Sequence, residues 1–524
     1  MPELPDIDEL TEGLDPAAAA VVKVVYTAFH QLEKYLDELR GQMSRVETEN
    51  AELKRMLFGQ KSERLVMPSA KREAAKKAKA AETEEQKVAS KAATQKKRKA
   101  RRAARKRLPV VEEPIDVPEG ELRCEHCHGD FRDLGEGLVT EQIEHIPARL
   151  VRRRIVRQKK VCRCGETIVT APAPPQVTDG AEYGPGLHAQ VVVQKCADSM
   201  PLHRQAKAMA RAGASVSRST LGDLFHRSAE LLAPIHARLL EQVAKAEHVN
   251  ADETPLPVQA EGKCHQGYDW VFVADDDQGR PIIAHAYSPS RSGETPMRIL
   301  GKSKGKLQVD GYSGYNQVTT PEGRERATCW AHGRRYFFKA LKDAPEAGEV
   351  MDLITDLYAV EWQAQEKGIC GTDAHRLLRQ SASAPVVEKI EAWLDEHGPD
   401  AHPQSLLGKA IRYMREQDPE TKEWSMKDSL KVFLEDPKVG IDNNVSERAL
   451  RIVALGRKNF LFAGSDIAAE NLAVLQSLVA TCEANGVNPQ DYLTDVLVRT
   501  REHPQIRIDE LLPQNWQPPE SAAA

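Results

Sequence analysis

The sequence predicts a multidomain protein of the α+β class, and three patterns along the chain support this prediction. An N-terminal stretch shows helical spacing of apolar residues, two close cysteine pairs follow it, and short alternating strands then give way to long helical segments. With 524 residues, the chain can form about three or four domains of ordinary size. We expect a coiled-coil helix, a small zinc ribbon and an α/β core with a helical insertion.

The bulk composition excludes several protein classes. The chain is 41% hydrophobic and 29% charged, which is typical of a soluble and largely helical protein. No apolar run is long enough to span a bilayer, and residues 1–6 lack the basic and apolar parts of a signal peptide. Nine cysteines are too few for a disulfide scaffold in such a long chain. We therefore expect a cytoplasmic protein with no membrane partner.

The N-terminal segment, residues 1–62, has the pattern of a coiled coil. Its apolar residues recur in alternating steps of three and four: Val22, Val25, Phe29, Leu32, Leu36, Leu39, Met43, Val46, Leu53 and Leu57. Asn50 interrupts this seam at a position where a buried Asn commonly fixes register and dimer state. The pattern predicts a homodimer or a higher oligomer. The alternative is one amphipathic helix that packs inside its own chain.

Residues 63–110 form a basic segment that has little to bury. Between residues 71 and 107 it consists largely of Ala, Lys, Arg and Glu, so it cannot offset its own folding entropy. One interpretation is a solvated, disordered linker, and the other is an arm that adds salt-sensitive DNA affinity. The segment can have both roles.

Residues 111–180 contain two cysteine pairs with the spacing of a zinc site. Cys124 and Cys127 form the first pair, and Cys162 and Cys164 form the second. Each pair can supply one knuckle of a tetrahedral zinc ribbon, although the second is one residue shorter than ideal. His126 and His128 are alternative ligands. Between the pairs lies a basic strand, and its Arg153 and Arg154 are predicted to contact DNA.

Residues 181–245 are predicted to be helical. Segments 201–212 and 219–232 read as two helices that are joined by a turn at Gly213, with Ser217 or Ser219 as a cap. This pair is either a DNA-reading helix-turn-helix or plain scaffolding.

Two aspartates follow apolar alternation in residues 246–339. Asp252 comes after a strand that begins at His248, and Asp310 comes after a strand that begins at Lys306. Residues 268–274 and 281–287 read as two further strands. If the strands of the two acids are neighbours in the sheet, their carboxylates can share a metal ion. Taken singly, however, an Asp at a strand end is more often a cap or a turn former.

A third acid follows a predicted helical insertion at residues 340–435. Glu447 falls in the early turns of a helix that Asp442 or an adjacent Asn can cap, within a segment, 436–485, that completes the core before a C-terminal tail, 486–524. Arg451 shares the face of Glu447, and so does Lys458 if the helix runs through Gly456. Three converging carboxylates would provide an oxygen-rich site for two Mg²⁺ or Mn²⁺ ions.

Several ordered strings of this sequence resemble the insertion-sequence-66 transposase family. They are residues 250–255 (Asn-Ala-Asp-Glu-Thr-Pro), 308–316 (Gln-Val-Asp-Gly-Tyr-Ser-Gly-Tyr-Asn), 329–335 (Cys-Trp-Ala-His-Gly-Arg-Arg), 442–444 with Glu447 and Arg448, 456–459 (Gly-Arg-Lys-Asn), 461–465 (Leu-Phe-Ala-Gly-Ser), and 511–513 with Trp516. The resemblance extends from the string at 53–59 to the C-terminus. It departs at Gly333, where Ala is more usual, and at Ala454, where other transposases of this chemistry carry a basic residue.

The resemblance implies a DDE-type DNA transposase with a zipper, a zinc finger and a ribonuclease H-like core. Asp252, Asp310 and Glu447 would be the catalytic and metal-binding residues, and double-stranded DNA of the element ends and of the target would be the substrate. Such an enzyme hydrolyses a phosphodiester at the element end, and the freed 3'-hydroxyl then attacks target DNA. Small companion proteins from the same element and a nucleoid-associated location are also implied.

Candidate DNA contacts lie in two blocks near these acids. They are His332, Arg334 and Arg335 in the first block, and Arg448, Arg451, Arg457 and Lys458 in the second. The first block could instead be a structural cluster around Trp330. Two other functions remain open: a non-catalytic DNA-binding regulator, and a metal-dependent nuclease of the same fold that does not join strands.

Overall fold

A computed structural model describes residues 150–161, 168–178, 180, 182–417 and 424–518, together with Ala18, Lys23 and Tyr26. From Arg152 onward the described residues belong to one compact unit. The three N-terminal positions are helical. The rest of the predicted coiled coil, the basic segment and the cysteines Cys124, Cys127, Cys162 and Cys164 lie outside the described residues. Elements are numbered below in the order in which they occur in the described part.

A five-stranded mixed sheet forms the centre of the unit. Its strands are β3 (His248–Gln259), β4 (Cys264–Asp275), β5 (Pro281–Ser288), β6 (Lys306–Val309) and β7 (Glu325–Thr328), in the spatial order β5-β4-β3-β6-β7. The β3–β4 and β4–β5 pairs are antiparallel, whereas β3–β6 and β6–β7 are parallel. The strand that contains Asp252 and the strand that precedes Asp310 are therefore neighbours, which meets the condition for the two carboxylates to share a metal ion.

Two small hairpins lie apart from this sheet. β1 (Lys159–Val161) pairs with β2 (Ile168–Thr170), and β8 (Arg415–Gln417) pairs with β9 (Trp424–Met426). Arg153 and Arg154 lie just before β1 and are exposed.

The helices surround the sheet and make up most of the region between β7 and the Glu447 helix. They are α1 (Pro185–Cys196), α2 (Leu202–Arg211), α3 (Arg218–Lys245), α4 (Glu294–Leu300), α5 (Trp330–Ala340), α6 (Ala347–Lys367), α7 (Asp373–Leu378), α8 (Ala384–His397), α9 (Leu406–Met414), α10 (Val432–Glu435), α11 (Asn444–Phe460), α12 (Asp466–Ala484) and α13 (Pro489–Arg499). In this described part, no helix is long and apolar enough to cross a membrane.

The two faces of the sheet are covered by different helices. One face carries a large apolar core that extends from Val177 to Leu512 and includes residues of α1, α3, α12 and α13. On the other face, Leu450 of α11 packs against Val271 and Val273 of β4. The helix that carries Glu447 is therefore held against the sheet beside the strand of Asp252.

The predicted helix pair is present as α2 and α3. Gly213 takes a positive φ of 86° in the turn, and Ser217 caps α3 by accepting a hydrogen bond of 3.0 Å from the amide of Thr220. Because α3 runs on to Lys245 and buries Ile235 and Leu239 in the core, its C-terminal half is scaffolding. A DNA-reading role for the pair stays a prediction.

The region between β7 and α11 is mainly helical, as predicted. Arg379 lies in a π-helical turn at Arg379–Ser383 and contacts the segment that leads back to the sheet. Its buried guanidinium pairs with Glu361 at 2.7 Å and donates to the carbonyls of Phe433 (2.7 Å) and Val439 (3.0 Å). A buried cation with acceptors on several segments ties the insertion to the chain that leads into α11.

Candidate active site

Asp252 lies inside β3 rather than at its end, which corrects the strand limits expected from the sequence. Pro255 and Pro257, which usually exclude a residue from a central strand, continue β3 to Gln259. Their position is tolerated because the pairing of β3 with β6 stops at Asn250 and Gln308. Beyond that point β3 forms an isolated parallel bridge with Ala463, which uses the carbonyl of Pro257 and the amide of Gln259 and needs no proline N–H. Asp252 is thus the second residue beyond the part of β3 that pairs with β6.

Asp310 stands in the equivalent place on the next strand. It follows β6 directly and is also the second residue beyond the Asn250–Gln308 pair. Its Oδ1 accepts a hydrogen bond of 2.8 Å from the amide of Tyr312. Arg326 donates to the carbonyls of Asp310 (2.6 Å) and Tyr312 (2.8 Å). The turn after β6 is therefore held at the same edge of the sheet as Asp252.

Glu447 lies in the first turn of α11, as expected. Asn443 occupies the N-cap position but makes no side-chain capping bond. Instead, Asp442 Oδ1 accepts a hydrogen bond of 3.1 Å from the amide of Asn444. The helix continues through Gly456, so Lys458 shares the face of Glu447 and Arg451.

The three acids interact electrostatically. Burial raises the pKa of Asp252 to about 8, and the negative charges of Glu253, Asp310 and Glu447 contribute to this rise. Glu447 Oε1 is buried without a hydrogen-bond donor, and His332 Nε2 lies 3.8 Å and Arg335 Nη2 3.7 Å from it. Burial and repulsion from neighbouring acids therefore both act against ionisation of Asp252.

The side chains fit a divalent cation by their chemistry. Among the residues the structure describes, no three His, Cys, Asp or Glu side chains form a set that could hold an ion as they stand. The acids nevertheless offer hard oxygen ligands, and one of these oxygens, Glu447 Oε1, is buried without a donor. Burial is the main cause of the raised pKa of Asp252, and a cation would offset the repulsion from neighbouring acids that adds to it.

The predicted cation block on α5 divides between the core and the acids. Trp330 is fully buried, and its Nε1 donates to the carbonyl of Leu430 at 2.8 Å. His332 and Arg335, by contrast, are 18% and 36% exposed and face Glu447. The positive charge of Arg334 interacts electrostatically with Tyr358 of α6. The block therefore combines a structural anchor with side chains that reach the site.

The remaining predicted cations lie along α11. Arg448, Arg451 and Lys458 are exposed, whereas Arg457 is half-buried and donates to the carbonyl of Pro255 in β3. Three cations are thus available at the surface of the helix that begins beside the acids.

Sequence reasoning did not assign Glu253, which is buried beside Asp252. Burial raises its pKa, and it accepts hydrogen bonds from Arg291 Nε (2.7 Å) and Tyr315 Oη (2.7 Å). It thereby links β3 to the turn after Asp310. The amides of Asn250, Gln308 and Asn443 were not assigned either. The one signal in the sequence is that an amide precedes each aspartate by two residues.

Comparison with known proteins gives matches along most of the chain. The Transposase IS66 family profile matches residues 180–471, and the IS66 C-terminal element matches residues 477–514. The zinc-finger binding domain of transposase IS66 matches residues 121–165, and a profile described as Transposase C of IS166 homeodomain matches residues 45–112. The matched zinc-finger region contains all four predicted zinc cysteines.

The chain is also similar to three proteins of Sinorhizobium fredii. Uncharacterized protein y4hP is 33% identical over 93% of this chain and 88% of its own length. Uncharacterized protein y4jD is 33% identical over 78% of this chain and 81% of its own length. Uncharacterized protein y4qI is 31% identical over 72% and 71%, respectively.

Proposed function

Because the chain belongs to the IS66 family of transposases, we propose that it is a DDE-type enzyme that cuts and joins DNA with Asp252, Asp310 and Glu447. The observation that carries the proposal is that two aspartates occupy equivalent positions on parallel neighbouring strands, and that the charges of Asp310 and of Glu447 on α11 both act on Asp252. The acids would hold two Mg²⁺ or Mn²⁺ ions, which when bound activate the attacking oxygen and stabilise the leaving one.

The sheet supports a ribonuclease H-like core for this enzyme. In such a core the strands of the first two acids are neighbours, and β3 and β6 meet this requirement. The segments 246–339 and 436–485 would make up this core, with 340–435 as its helical insertion. The proposed zipper (1–62), basic linker (63–110), zinc ribbon (111–180), helical segment (181–245) and C-terminal tail (486–524) would complete the chain.

The cations near the acids would position the DNA. Arg335 and His332 lie within 4 Å of Glu447, so they can hold a phosphate beside the carboxylates. Arg448, Arg451 and Lys458 would contact phosphates along α11, and Arg334, Arg457, Arg153 and Arg154 are further candidates. Of these, Arg457 already binds a backbone carbonyl, so it would support the helix as well as the DNA.

A joining assay tests the proposal. Element ends that are already cut and carry free 3'-hydroxyls are incubated with the full chain, Mg²⁺ and a plasmid target, and strand-transfer products are measured. We expect joining by the parent. Asp252→Asn and Glu447→Gln should lower it by about 10²–10³-fold or more, the scale of loss when a preorganised charge-stabilising group is removed. Asp491→Asn, which changes an exposed acid on α13, should join like the parent.

The outcomes of this assay separate the candidate functions. Nicks without joined products would indicate a nuclease, and DNA binding without cleavage would indicate a regulator. Joining that survives Asp252→Asn would contradict the assignment of the acids.

The zinc ribbon has a separate test. Cys124, Cys127, Cys162 and Cys164 would hold one structural Zn²⁺, so metal analysis of the intact chain should find one zinc ion per chain. Cys124→Ser should lower the zinc content, because it removes one of the four thiolates that would hold the ion. An intact chain that contains no zinc would contradict this assignment.

A further inference from the structure

Each of the three acids is preceded at a short distance in the sequence by a side-chain amide. Asn250 precedes Asp252 by two residues, and Gln308 precedes Asp310 by two. Asn443 precedes Glu447 by four. Two residues is the repeat of a strand, so Asn250 lies on the face of β3 that carries Asp252, and Gln308 lies two residues before Asp310, which follows β6. Asn443 is the N-cap residue of α11, whose first turn carries Glu447.

These amides bond to one another. Asn250 and Gln308 are direct partners in the β3–β6 register. Asn250 Nδ2 donates to Gln308 Oε1 at 3.3 Å and to Asn443 Oδ1 at 3.1 Å. We call Asn250, Gln308 and Asn443 the amide cluster. It joins three chain segments that are far apart in sequence.

The amide cluster also holds the backbone that leads into α11. Gln308 Nε2 donates to the carbonyl of Gly440 at 2.5 Å, and the Gly440 amide donates back to Gln308 Oε1 at 3.1 Å. Asn443 Nδ2 donates to the carbonyl of Ala251, the residue before Asp252, at 2.8 Å. Asn443 is fully buried and Gln308 is 5% exposed, so loss of either partner would leave buried polar groups unsatisfied.

Amides are suited to this position because they donate and accept without carrying charge. A carboxylate here would add to the repulsion that already raises the pKa of Asp252. An ammonium or guanidinium would pair with the acids and compete with a metal ion for them. A neutral group can bring the acid-bearing segments together without either effect.

We infer that the amide cluster sets the spacing of Asp252, Asp310 and Glu447, so that Asn250, Gln308 and Asn443 are positioning residues of the site. This inference rests on the proposed function, because it assigns the amides to the same three acids. They act through the backbone and do not touch the substrate.

Mn²⁺ binding to the full-length protein, measured by calorimetry and by the free-ion EPR signal, tests the inference without requiring activity. Asn250→Ala and Asn443→Ala should each weaken Mn²⁺ affinity by about ten- to a hundredfold, as loss of groups that orient metal ligands does. Because the two side chains share a hydrogen bond, the double variant should lose less than the product of the single losses. Asn250 is half-buried, so Asn250→Ala carries the test if Asn443→Ala fails to fold.

A buried amide elsewhere provides the matched control. Gln205 is fully buried and donates to the carbonyls of Val191 and Met200 in the helical segment. Gln205→Ala should lower the free energy of unfolding and leave Mn²⁺ affinity unchanged. A general loss of stability therefore cannot account for the expected result.

Two results would overturn the inference, and they have different meanings. If the amide variants bind Mn²⁺ like the parent while Asp252→Asn does not, the acids are ligands and the amides do not position them. If Asp252→Asn itself binds Mn²⁺ like the parent, the proposed metal site fails and the inference fails with it.

Discussion

At the scale of single residues, Asp252 has the most unusual environment in the site. Burial, with the charges of three other acids, keeps its carboxyl protonated up to a pH of about 8. A nearby cation acts in the opposite direction because it favours the ionised form. Binding of a metal ion below that pH should therefore release a proton from this residue.

The raised pKa of Asp252 predicts a pH-dependent stability. In chelator-treated protein the folded state binds this proton up to about pH 8, whereas the unfolded chain releases it near 3.8. Between these values the folded state binds more protons, so the free energy of unfolding falls as pH rises. The Asn side chain of Asp252→Asn cannot ionise. We therefore expect the free energy of unfolding of this variant to fall less steeply between about pH 4 and about pH 8 than that of the parent. Urea unfolding followed by circular dichroism at several pH values measures the slope.

The control for this measurement is Asp491→Asn, whose carboxylate is exposed on α13. It should give the slope of the parent. The same slope for Asp252→Asn and the parent would mean that Asp252 does not hold the extra proton.

At the scale of elements, the turn between α11 and α12 combines backbone strain with firm anchoring. Leu461 has a φ of 68° and is 65% exposed, and the Phe462 amide donates to the carbonyl of Phe460 at 2.8 Å. This is a γ-turn of the strained positive-φ form. Ala463 anchors it to β3, since it donates to the carbonyl of Pro257 at 2.9 Å and accepts from the amide of Gln259 at 2.8 Å.

Two substitutions at Leu461 separate the strain from the side chain. Leu461→Gly removes the Cβ that makes this backbone unfavourable, whereas Leu461→Ala keeps it. We expect the Gly variant to be more stable than the Ala variant by about 1 kcal/mol, the cost of a positive φ for an L-residue. Chemical denaturation of both variants measures the difference. If the Ala variant is at least as stable as the Gly variant, the backbone at residue 461 is not strained.

The elements also show which features the sequence could predict. Apolar alternation correctly located parts of β3, β4, β5 and β6, and the prediction that residues 340–435 are mainly helical is also correct. The edge strand β7 was missed because Glu325 and Arg326 interrupt its alternation. The full length of β3 was missed because Pro255 and Pro257 normally end a strand. The amide cluster was missed because its bonds join residues that only the tertiary fold brings together.

At the scale of the whole molecule, charge is distributed unevenly. The formal net charge is -5, yet Arg448, Arg451 and Lys458 present exposed cations along the helix that begins beside the acids. DNA binding that depends on such local cations weakens steeply as salt concentration rises, because phosphate contacts release counterions. The overall charge therefore does not argue against a nucleic acid partner.

The salt dependence of DNA binding measures how many of these cations contact phosphate. Replacing Arg448, Arg451 and Lys458 together by Ala should reduce the slope of log affinity against log salt by about three, since each phosphate contact contributes about 0.9. Fluorescence anisotropy at several KCl concentrations provides the slope. As a matched control, the triple Ala variant of Arg298, Lys367 and Lys389, exposed cations on other helices, should leave it unchanged. An unchanged slope for the α11 variant would mean that these three side chains do not contact phosphate.

The helical insertion leaves the core and returns to it at nearly the same point. The Trp330 amide donates to the carbonyl of Ile441 at 3.1 Å, and Thr328 and Ser429 join their hydroxyls at 2.8 Å. The residues between Trp330 and Ile441 therefore form a long loop whose two ends are held together. Adding residues to such a loop at a distance from its ends costs little entropy. The outer helices can therefore change in length or number while the stem that places α11 and Glu447 beside the sheet is kept.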